Sequence, residues 1–401
     1  MNLQRQSALH SLTLAVAGIL GAALSNASLA DSFTEALTGG TPKLDMRLRY
    51  ENVNQDNSLK DAEALTLRTR LGYETGKYQE FKAYVEMENV TAVLDDDYNS
   101  TKNGKTQYST VVDPEGTEVN QAYLDFSGLQ DTLARAGRQR IILDNARFVG
   151  NVGWRQNEQT YTGASINNTS LPDTKLYYAY LDKIQGINGS STDVHTHLLN
   201  ASYSGLGFAT LTGYGYLVEF IDKPSTSQQT WGVRVDGNTE LSSMKLLYTA
   251  EFARQSDYKS GNDNINADYR LLELGVSVGG ITGKIGYELL GADDAFSFET
   301  PLATKHAFNG WSDMFLNTPD GLGLEDRYVQ VDGSIVGIKL LGVYHDFQAD
   351  RGGANFGTEF DLLAAKKFGK HYSAGIKYAS YNADTFAVDT NKFWLWGGIA
   401  F

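Results

Sequence analysis

The sequence predicts an all-β protein, specifically a transmembrane antiparallel up-and-down β-barrel of about 18 strands. Three observations indicate this fold. Apolar and polar residues alternate along many segments, short and long connections alternate between these segments, and the chain ends on an apolar segment. Together they favour a sheet that closes on itself, because a sheet that crosses a membrane cannot leave its edges unpaired.

The final segment has the pattern of a closing strand. Phe393, Leu395, Ile399 and Phe401 occupy odd positions, so a strand places their side chains on one face. In a barrel, such a strand pairs with the first strand and turns its apolar face to lipid. The terminal aromatic residue also resembles the C-terminal signal of outer-membrane proteins.

Alternation with a period of two runs through the predicted strands. In 43–51, Leu44, Met46 and Leu48 face one way, whereas Arg47 and Arg49 face the other. This period is that of a β-strand and not of a helix. The predicted strands lie near 43–52, 64–74, 78–90, 117–127, 132–143, 158–168, 173–182, 195–204, 207–218, 228–237, 242–254, 268–278, 282–290, 326–331, 334–346, 356–367, 371–381 and 391–401.

The connections between these strands alternate in length. Turns such as 75–77 are short, whereas 91–116, 144–157 and 291–325 are long and mostly polar. A bacterial barrel has short periplasmic turns and long external loops, and an even strand number places both chain ends in the periplasm. The sequence leaves open whether loop 144–157 or loop 291–325 folds into the lumen, which we expect to carry water.

Composition limits the class of protein and its partners. The chain has 401 residues, a formal net charge of −14 and no cysteine, which argues against nucleic acid as a partner and excludes disulfides. Its mean hydropathy is −0.33. A membrane protein is this hydrophilic only when apolar and polar residues alternate along strands.

The first 30 residues have the features of a secretory signal peptide. Arg5 gives a basic start, an apolar stretch runs from Leu12 to Leu24, and Ser28-Leu29-Ala30 is a small-residue cleavage site. Loss of this segment removes one basic residue, so the net charge becomes −15. We expect 1–30 to be a signal peptide and 31–401 to be a single outer-membrane barrel, with 31–42 leading into it.

Arginine is unevenly distributed along the chain. Nine of the 15 arginines lie between 47 and 155, and Arg47/Arg49, Arg68/Arg70 and Arg138/Arg140 are spaced i, i+2. Arginine on the lipid face would cost about 2–4 kcal/mol at the midplane, so these pairs are expected to face the lumen. Free arginines there would attract anions. Arginines paired with Asp45, Glu51, Glu86 or Glu88 would instead be structural, and the sequence leaves both interpretations open.

Several segments carry a resemblance to a known family. They are 137–140 (Gly-Arg-Gln-Arg), 147–156 with its Gly153-Trp154, the Arg47-x-Arg49-x-Glu51 segment and the strand 121–125. Over about 43–165 the chain resembles the alginate-export family of outer-membrane channels. The resemblance implies an eighteen-stranded barrel with an arginine-lined, anion-selective pore. The arginines implied to line this pore and bind anions are Arg47, Arg49, Arg68, Arg70, Arg138, Arg140, Arg147 and Arg155.

The chain also departs from alginate exporters, which are longer and carry a long periplasmic plug loop. Every predicted periplasmic turn here is short. We therefore expect a passive outer-membrane channel, a porin, for anionic solutes such as uronate oligomers or organic acids. An export pore for an anionic polysaccharide is one alternative. A barrel-borne enzyme or adhesin that uses loops 91–116 and 291–325 is another.

Other candidate sites are weak. The acidic runs Asp95-Asp96-Asp97 and Asp293-Asp294 have no EF-hand spacing and suit solvated loops. His195 and His197 share a strand face but have no third ligand nearby in the sequence. No nucleophile elbow or phosphate-binding loop is present. We expect no enzymatic activity, no metal and no cofactor.

The expected location determines the expected partners. In the bacterial outer membrane these are membrane lipid and lipopolysaccharide, the barrel-assembly machinery, and small anionic solutes or oligosaccharides. The sequence does not specify the solute, the direction of transport or the oligomeric state.

Overall fold

The structure is a computed structural model that describes residues 27–94 and 97–401, with side chains from residue 32 onward. Residues 1–26 of the predicted signal peptide, together with Asp95 and Asp96, lie outside this description. In the described part of the chain, no helix combines the length and the apolar character that a membrane span requires.

Eighteen antiparallel strands form one closed sheet, which confirms the predicted fold class and strand number. Two further short strands, β14 (Ala292–Asp293) and β15 (Phe296–Ser297), pair within a loop. The barrel strands are β1 (Thr41–Gln55), β2 (Ala62–Glu74), β3 (Phe81–Ala92), β4 (Gly116–Leu129), β5 (Thr132–Gln139), β6 (Thr160–Asn168), β7 (Thr174–Gln185), β8 (Ser191–Tyr203), β9 (Ala209–Phe220), β10 (Gln228–Leu241), β11 (Met244–Asp257), β12 (Asn266–Val278), β13 (Ile281–Leu290), β16 (Leu324–Ile335), β17 (Ile338–Gln348), β18 (Asn355–Phe368), β19 (Tyr372–Ala383) and β20 (Thr390–Ala400).

The last strand closes the barrel against the first. β20 pairs with β1 along its whole length, with Leu395 opposite Tyr50 and Trp396 opposite Arg49. Every barrel strand therefore has two antiparallel neighbours, and the sheet has no free edge. This closure satisfies the backbone hydrogen bonds within the wall, as a membrane requires.

The two ends of the barrel differ. At the short-turn end, adjacent strands are joined by connections such as 242–243 and 336–337. At the long-loop end, the connections include 93–115, 140–159 and 291–323. Two short 3₁₀ helices, Pro224–Thr226 and Lys305–Ala307, lie in loops at this end.

The lead-in to the barrel contains a helix that was not expected. Helix α1 spans Ala27–Thr38 and therefore crosses the predicted cleavage site after Ala30. It packs against the β2–β3 turn, where the Gly76 amide donates to Ala36 O at 2.8 Å and Phe33 meets Tyr78 edge to face. Signal-peptide cleavage stays a prediction.

The outward face of the barrel is apolar, as the alternation predicts. Leu71 and Ile285 are each 59% exposed there, whereas Arg70 and Glu288 are 7% and 3% exposed on the inward face. Because consecutive residues in a strand point to opposite faces, this difference follows directly from the sequence pattern.

The lumen is not uniformly polar, contrary to expectation. In the long-loop half, inward side chains of β7–β19 pack with loop residues into an apolar cluster that includes Leu181, Tyr269, Phe298, Phe315 and Phe347. The long loops supply apolar residues that cover the wall from inside. This cluster fills part of the long-loop half, where a polar cavity of about 200 Å³ lined by Glu288, Asp326 and His345 remains beside the loops.

Candidate anion-binding site in the lumen

Both loops that the sequence left open fold into the lumen. In loop 140–159, Arg147 Nε donates to Glu288 at 2.7 Å and Arg147 Nη2 donates to Asn309 at 2.9 Å. In loop 291–323, the amide of Ser312 donates to Glu359 at 2.7 Å. Because Glu288 and Glu359 are inward residues of the wall, these contacts fix the loops inside the barrel.

The two loops meet at Lys377, an inward residue of β19. Its Nζ lies 3.6 Å from the ring centre of Trp311, 4.3 Å from that of Trp154 and 5.3 Å from that of Trp394. It also contacts His306 Nε2 at 2.7 Å. Trp154 and Trp311 come from different loops, so this aromatic cage around one cation joins both loops to the wall.

His306 connects the cage to a second cation. Its Nδ1 lies 2.6 Å from Asp313 Oδ1, and Asp313 Oδ2 accepts a hydrogen bond from Lys392 Nζ at 2.8 Å. Burial lowers the pKa of His306 to about 3, and nearby Lys377 adds to this effect against the attraction of Asp313. A neutral His306 accepts the hydrogen bond from Lys377 and donates to Asp313.

A second buried cluster holds loop 140–159 against β1. Arg155 makes a two-pronged contact with Glu51 at 2.9 and 3.1 Å, and Arg49 pairs with Asp113. Burial by itself would raise the pKa of Asp113, but Arg49 and Arg155 outweigh burial and hold the pKa below its usual value. Gln156 adds a backbone hydrogen bond to Asp113 at 2.9 Å. Arg49 and Arg155 are thus both paired with carboxylates, and Arg49 also donates to the carbonyl oxygen of Trp154.

Arg47 has a different role. Its guanidinium donates to the carbonyl oxygens of Gly153 at 3.2 Å, Trp154 at 2.9 Å and Arg155 at 2.5 Å. Among the described residues, no carboxylate oxygen lies within the 4.0 Å of an ion pair with Arg47, so its charge is not neutralised locally. Arg68 lies directly opposite Arg47 in the β1–β2 register.

The next arginines alternate with acids. Arg68 pairs with Asp45, Arg70 pairs with Glu88, and Arg140 pairs with Glu158. Burial tends to raise the pKa of Glu158, but Arg140 and Arg70 together lower it to about 2. Glu158 therefore stays ionised and anchors the end of loop 140–159.

Below this network lies a polar cavity of about 660 Å³ that faces the short-turn end. Tyr84 and Tyr123 contribute aromatic rings to its wall, and the Arg135 guanidinium lies 3.6 Å from the Tyr123 ring centre. Its charged side chains are the bases Lys43, Arg47, Arg68, Arg70, Arg135 and Arg140 and the acids Asp45 and Glu86. Arg68 is paired with Asp45, and the other paired bases have carboxylate partners outside the lining, namely Glu74, Glu88, Asp125 and Glu158. Arg47 therefore supplies the positive charge that has no acidic partner among the described residues.

The predicted arginines therefore divide into groups. Arg47, Arg68, Arg70 and Arg140 line the cavity. Arg49, Arg147 and Arg155 face inward but are buried in ion pairs. Arg68, Arg70 and Arg140 are also paired with carboxylates, so the structural alternative that the sequence left open holds for all of these arginines except Arg47. Arg135 and Lys43 were not predicted as site residues. Arg135 on β5 lies directly opposite Asp125 on β4. A basic residue that faces an acidic residue across two neighbouring strands is the signal that could have identified Arg135.

The prediction that Arg138 lines the pore is wrong. Gln139 faces the lumen, is 2% exposed and accepts a hydrogen bond from Ser165 Oγ at 2.9 Å. Its neighbour Arg138 must point outward, where its guanidinium donates to Val119 O at 2.6 Å. β5 ends at Gln139, so Arg140 lies beyond the strand and the i, i+2 rule does not apply to this pair.

The histidine pair and the acidic run Asp293-Asp294 lie away from the cavity, whereas most of the run Asp95-Asp96-Asp97 is outside the described residues. His195 and His197 are on the outward face, where they contact Glu219 at 3.3 Å and Tyr178 at 2.9 Å. No group of three or more His, Cys, Asp or Glu suited to holding a metal ion occurs within residues 27–94 and 97–401. Asp293 pairs with Arg351 in the loops at the long-loop end.

Comparison with known proteins identifies the family. The model of the alginate export family matches residues 43–298, which is more than half of the chain. The chain belongs to the alginate export family. This result confirms the resemblance inferred from the N-terminal segments. No curated protein sequence shows significant similarity.

The solved structures that the chain resembles are outer-membrane porins. OpdK of Pseudomonas aeruginosa, crystallised with vanillate, has a TM-score of 0.72 at 13% identity, with 91% of this chain and 99% of that chain covered. OccAB4 of Acinetobacter baumannii has a TM-score of 0.69 at 15% identity, with 90% and 98% covered. A BenF-like porin of Pseudomonas fluorescens Pf-5 has a TM-score of 0.71 at 14% identity, with 91% and 100% covered. The chain has the fold of these porins.

Proposed function

We propose that this protein is a passive channel of the bacterial outer membrane that favours anionic solutes, such as uronate oligomers or other organic acids. The single observation that carries the proposal is a cavity of about 660 Å³ lined by Arg47, whose guanidinium has no acidic partner among the described residues. The chain as a whole has a net charge of −14, so this unpaired positive charge differs in sign from the rest of the molecule. Fixed charge in a narrow space of low dielectric concentrates ions of opposite sign.

The acidic residues of the opposite wall do not cancel this preference. Glu359 and Asp361 on β18 accept hydrogen bonds from the amides of Ser312 and Trp311, at 2.7 and 3.2 Å. Glu288 is held by Arg147. The loops thus donate hydrogen bonds to these carboxylates, whereas Arg47 has no carboxylate partner in the part of the chain that the structure describes.

The size of the cavity favours small solutes over a polymer. Its volume is within the usual range of small-ligand pockets, about 300–1,000 Å³. The long-loop half of the lumen is packed by loops, which would restrict passage to small molecules. The neighbour OpdK was crystallised with vanillate, a carboxylate, and this agrees with an anionic solute for the present chain.

Ion selectivity in planar bilayers under a salt gradient tests the proposal. We expect a reversal potential of the sign that anion preference gives, and Arg47→Gln is expected to reduce it. Arg254→Gln is the matched control, because it removes the same charge from a half-exposed arginine outside the cavity. Cation selectivity, or absence of conductance in the wild type, would contradict the proposal.

Export of an anionic polysaccharide is a second candidate, favoured by membership of the alginate export family. A polymer would have to displace the loops at Lys377 to pass through. Export predicts that the gene lies beside genes for polysaccharide synthesis and that polyuronate blocks the channel from the short-turn side. An isolated gene and an unblocked channel would support the porin.

The same proposal assigns the orientation of the barrel. We propose that the short-turn end and both chain ends face the periplasm, with the long loops outside. Labelling of single cysteines at Leu171 and Gly352, in intact cells and in lysed cells, tests this orientation. Under the proposal only the cysteine at position 352 reacts with an impermeant reagent in intact cells.

A further inference from the structure

The outer wall carries an apolar groove of about 730 Å³ that has no role in the proposed channel. It crosses the outward face of β13 and β16 to β20 near the short-turn end. Ile281, Val331 and Ile376 form part of its sides and are 61%, 53% and 47% exposed. Their exposure places the groove on the surface that faces lipid.

Missing side chains create the depression. Gly342 on β17 lies between Val331 on β16 and Leu362 on β18, and Gly333 lies opposite Leu340. With Ala364 also in the lining, small residues surround Leu340 on a wall that is otherwise built of branched side chains. A Cβ at position 342 would lie 3.5 Å from Leu362 Cδ2 and 3.9 Å from Asp361 O, both ordinary contact distances. A larger residue could therefore occupy this place without strain in the wall.

A positive charge lies at the short-turn end of the groove. Lys366 is the next outward residue after Ala364 on β18 and lies opposite Ile338. Its Nζ donates to Val336 O at 3.0 Å, and no ion pair of Lys366 exists in the described part of the chain. The adjoining turn is apolar, with Val336 84% exposed. An apolar floor with one uncompensated cation at its end is complementary to an amphiphile with an anionic head.

We propose that this groove binds one phospholipid of the periplasmic leaflet, with its acyl chains over Gly333 and Gly342 and a phosphate oxygen on Lys366 Nζ. The distance along β17 between the level of Lys366 and Gly342 fits the thickness of a single leaflet. Ile338 to Gly342 spans four residues, or about 13 Å along β17, close to half of a hydrocarbon core of about 30 Å.

A second barrel at this place would cover Lys366 with an apolar wall and leave its charge without a partner. The inference uses the membrane orientation of the proposed function and is independent of anion selectivity.

Native mass spectrometry of the barrel extracted from outer membranes in mild detergent tests the site. We expect the wild type to retain one phospholipid, and Gly342→Leu, which fills the groove, to lose it. Gly213→Leu is the matched control, because position 213 is an exposed position of β9 away from the groove and a Cβ there meets nothing within 4 Å. Lys366→Gln is expected to lose retention of phosphatidylglycerol when the wild type and this variant are reconstituted with that lipid.

Three results would overturn the proposal. They are a wild type that carries no phospholipid, equal retention by Gly342→Leu, and an oligomer whose crosslinks run across the groove. Ion selectivity of Gly342→Leu separates this site from the channel function, because the variant should conduct as the wild type does whether or not lipid is bound. Loss of lipid with unchanged selectivity supports the groove alone.

Discussion

At the residue scale, the surroundings of each arginine decide what it can do. Arg49, Arg147 and Arg155 are enclosed by loops and carboxylates, so their charge serves to hold the loops. Arg47 contacts only neutral oxygens and contributes net charge to the cavity. Spacing in the sequence predicts that most of these residues face inward, but it cannot predict which of them a loop will cover.

Arg155→Met should destabilise the barrel strongly. The substitution leaves Glu51 and Asp113 buried with one cation fewer, and breaking a buried ion pair typically costs about 3–5 kcal/mol. Unfolding in urea, with the protein refolded in detergent micelles, measures this change. Arg254→Met removes a half-exposed ion pair and should cost at most about 1 kcal/mol. Equal effects of the two variants would contradict the role of Arg155.

His306 should make the free energy of unfolding depend on pH, and this dependence should begin at pH values above those at which carboxylates titrate. In the unfolded chain its pKa is near 6.5, whereas burial lowers the folded value to about 3. Unfolding therefore takes up a proton between these values, and the free energy of unfolding falls as pH decreases below 6.5. We expect the wild type to lose more stability than His306→Gln between pH 7.5 and pH 5, as measured by urea unfolding. Parallel pH profiles would show that His306 is not buried as a neutral group.

At the element scale, the tip of loop 291–323 acts as a latch on β18. Asn309 and Gly310 adopt positive φ angles of 54° and 81°, which turn the next two amides toward Glu359 and Asp361. The aromatic cage around Lys377 then joins this loop to loop 140–159. The sequence suggests, through its aromatic residues, that the longest loop packs onto something. The partner carboxylates are distant in sequence and come together only through the barrel.

Gly310→Ala should release this latch. A Cβ at position 310 would clash with the Glu359 carboxylate, and φ is 81°. We expect larger or noisier single-channel currents, because the loop tip can no longer dock. Gly353→Ala is the control: its φ of 67° imposes similar strain in another loop, but nothing lies within 4 Å. If both variants gave the same currents as the wild type, the loop tip would not control conductance.

At the scale of the whole molecule, closure and the inside–outside difference determine stability. The wall pairs all eighteen strands, with apolar residues outward and polar residues against the loops inside. The basic cavity lies on the side of the lumen formed by β1 to β5, whereas Glu288 on β13 and Asp326 on β16 lie across the barrel from it. This separation arises because strands that are distant in sequence face each other across the barrel.

Leu395→Arg should impair folding into membranes. Leu395 is 50% exposed on the outward face of the closing strand, where arginine costs about 2–4 kcal/mol near the midplane. Leu171→Arg, in a turn at the short-turn end, should cost about 0–1 kcal/mol because it lies near the interface. The fraction of barrel that folds into lipid vesicles measures both. A normal yield for Leu395→Arg would contradict the assignment of the outward face.

The sequence by itself determined the barrel, its eighteen strands and the inward direction of most arginines, because alternation and loop length are local properties of the chain. It failed at Arg138, where the strand ends one residue later. Only the tertiary structure decided how the long loops fill the lumen, which arginines they neutralise and where the basic cavity remains. These features depend on contacts such as Arg147 with Glu288, between residues 141 positions apart, and no local pattern encodes a contact across the inside of a closed barrel.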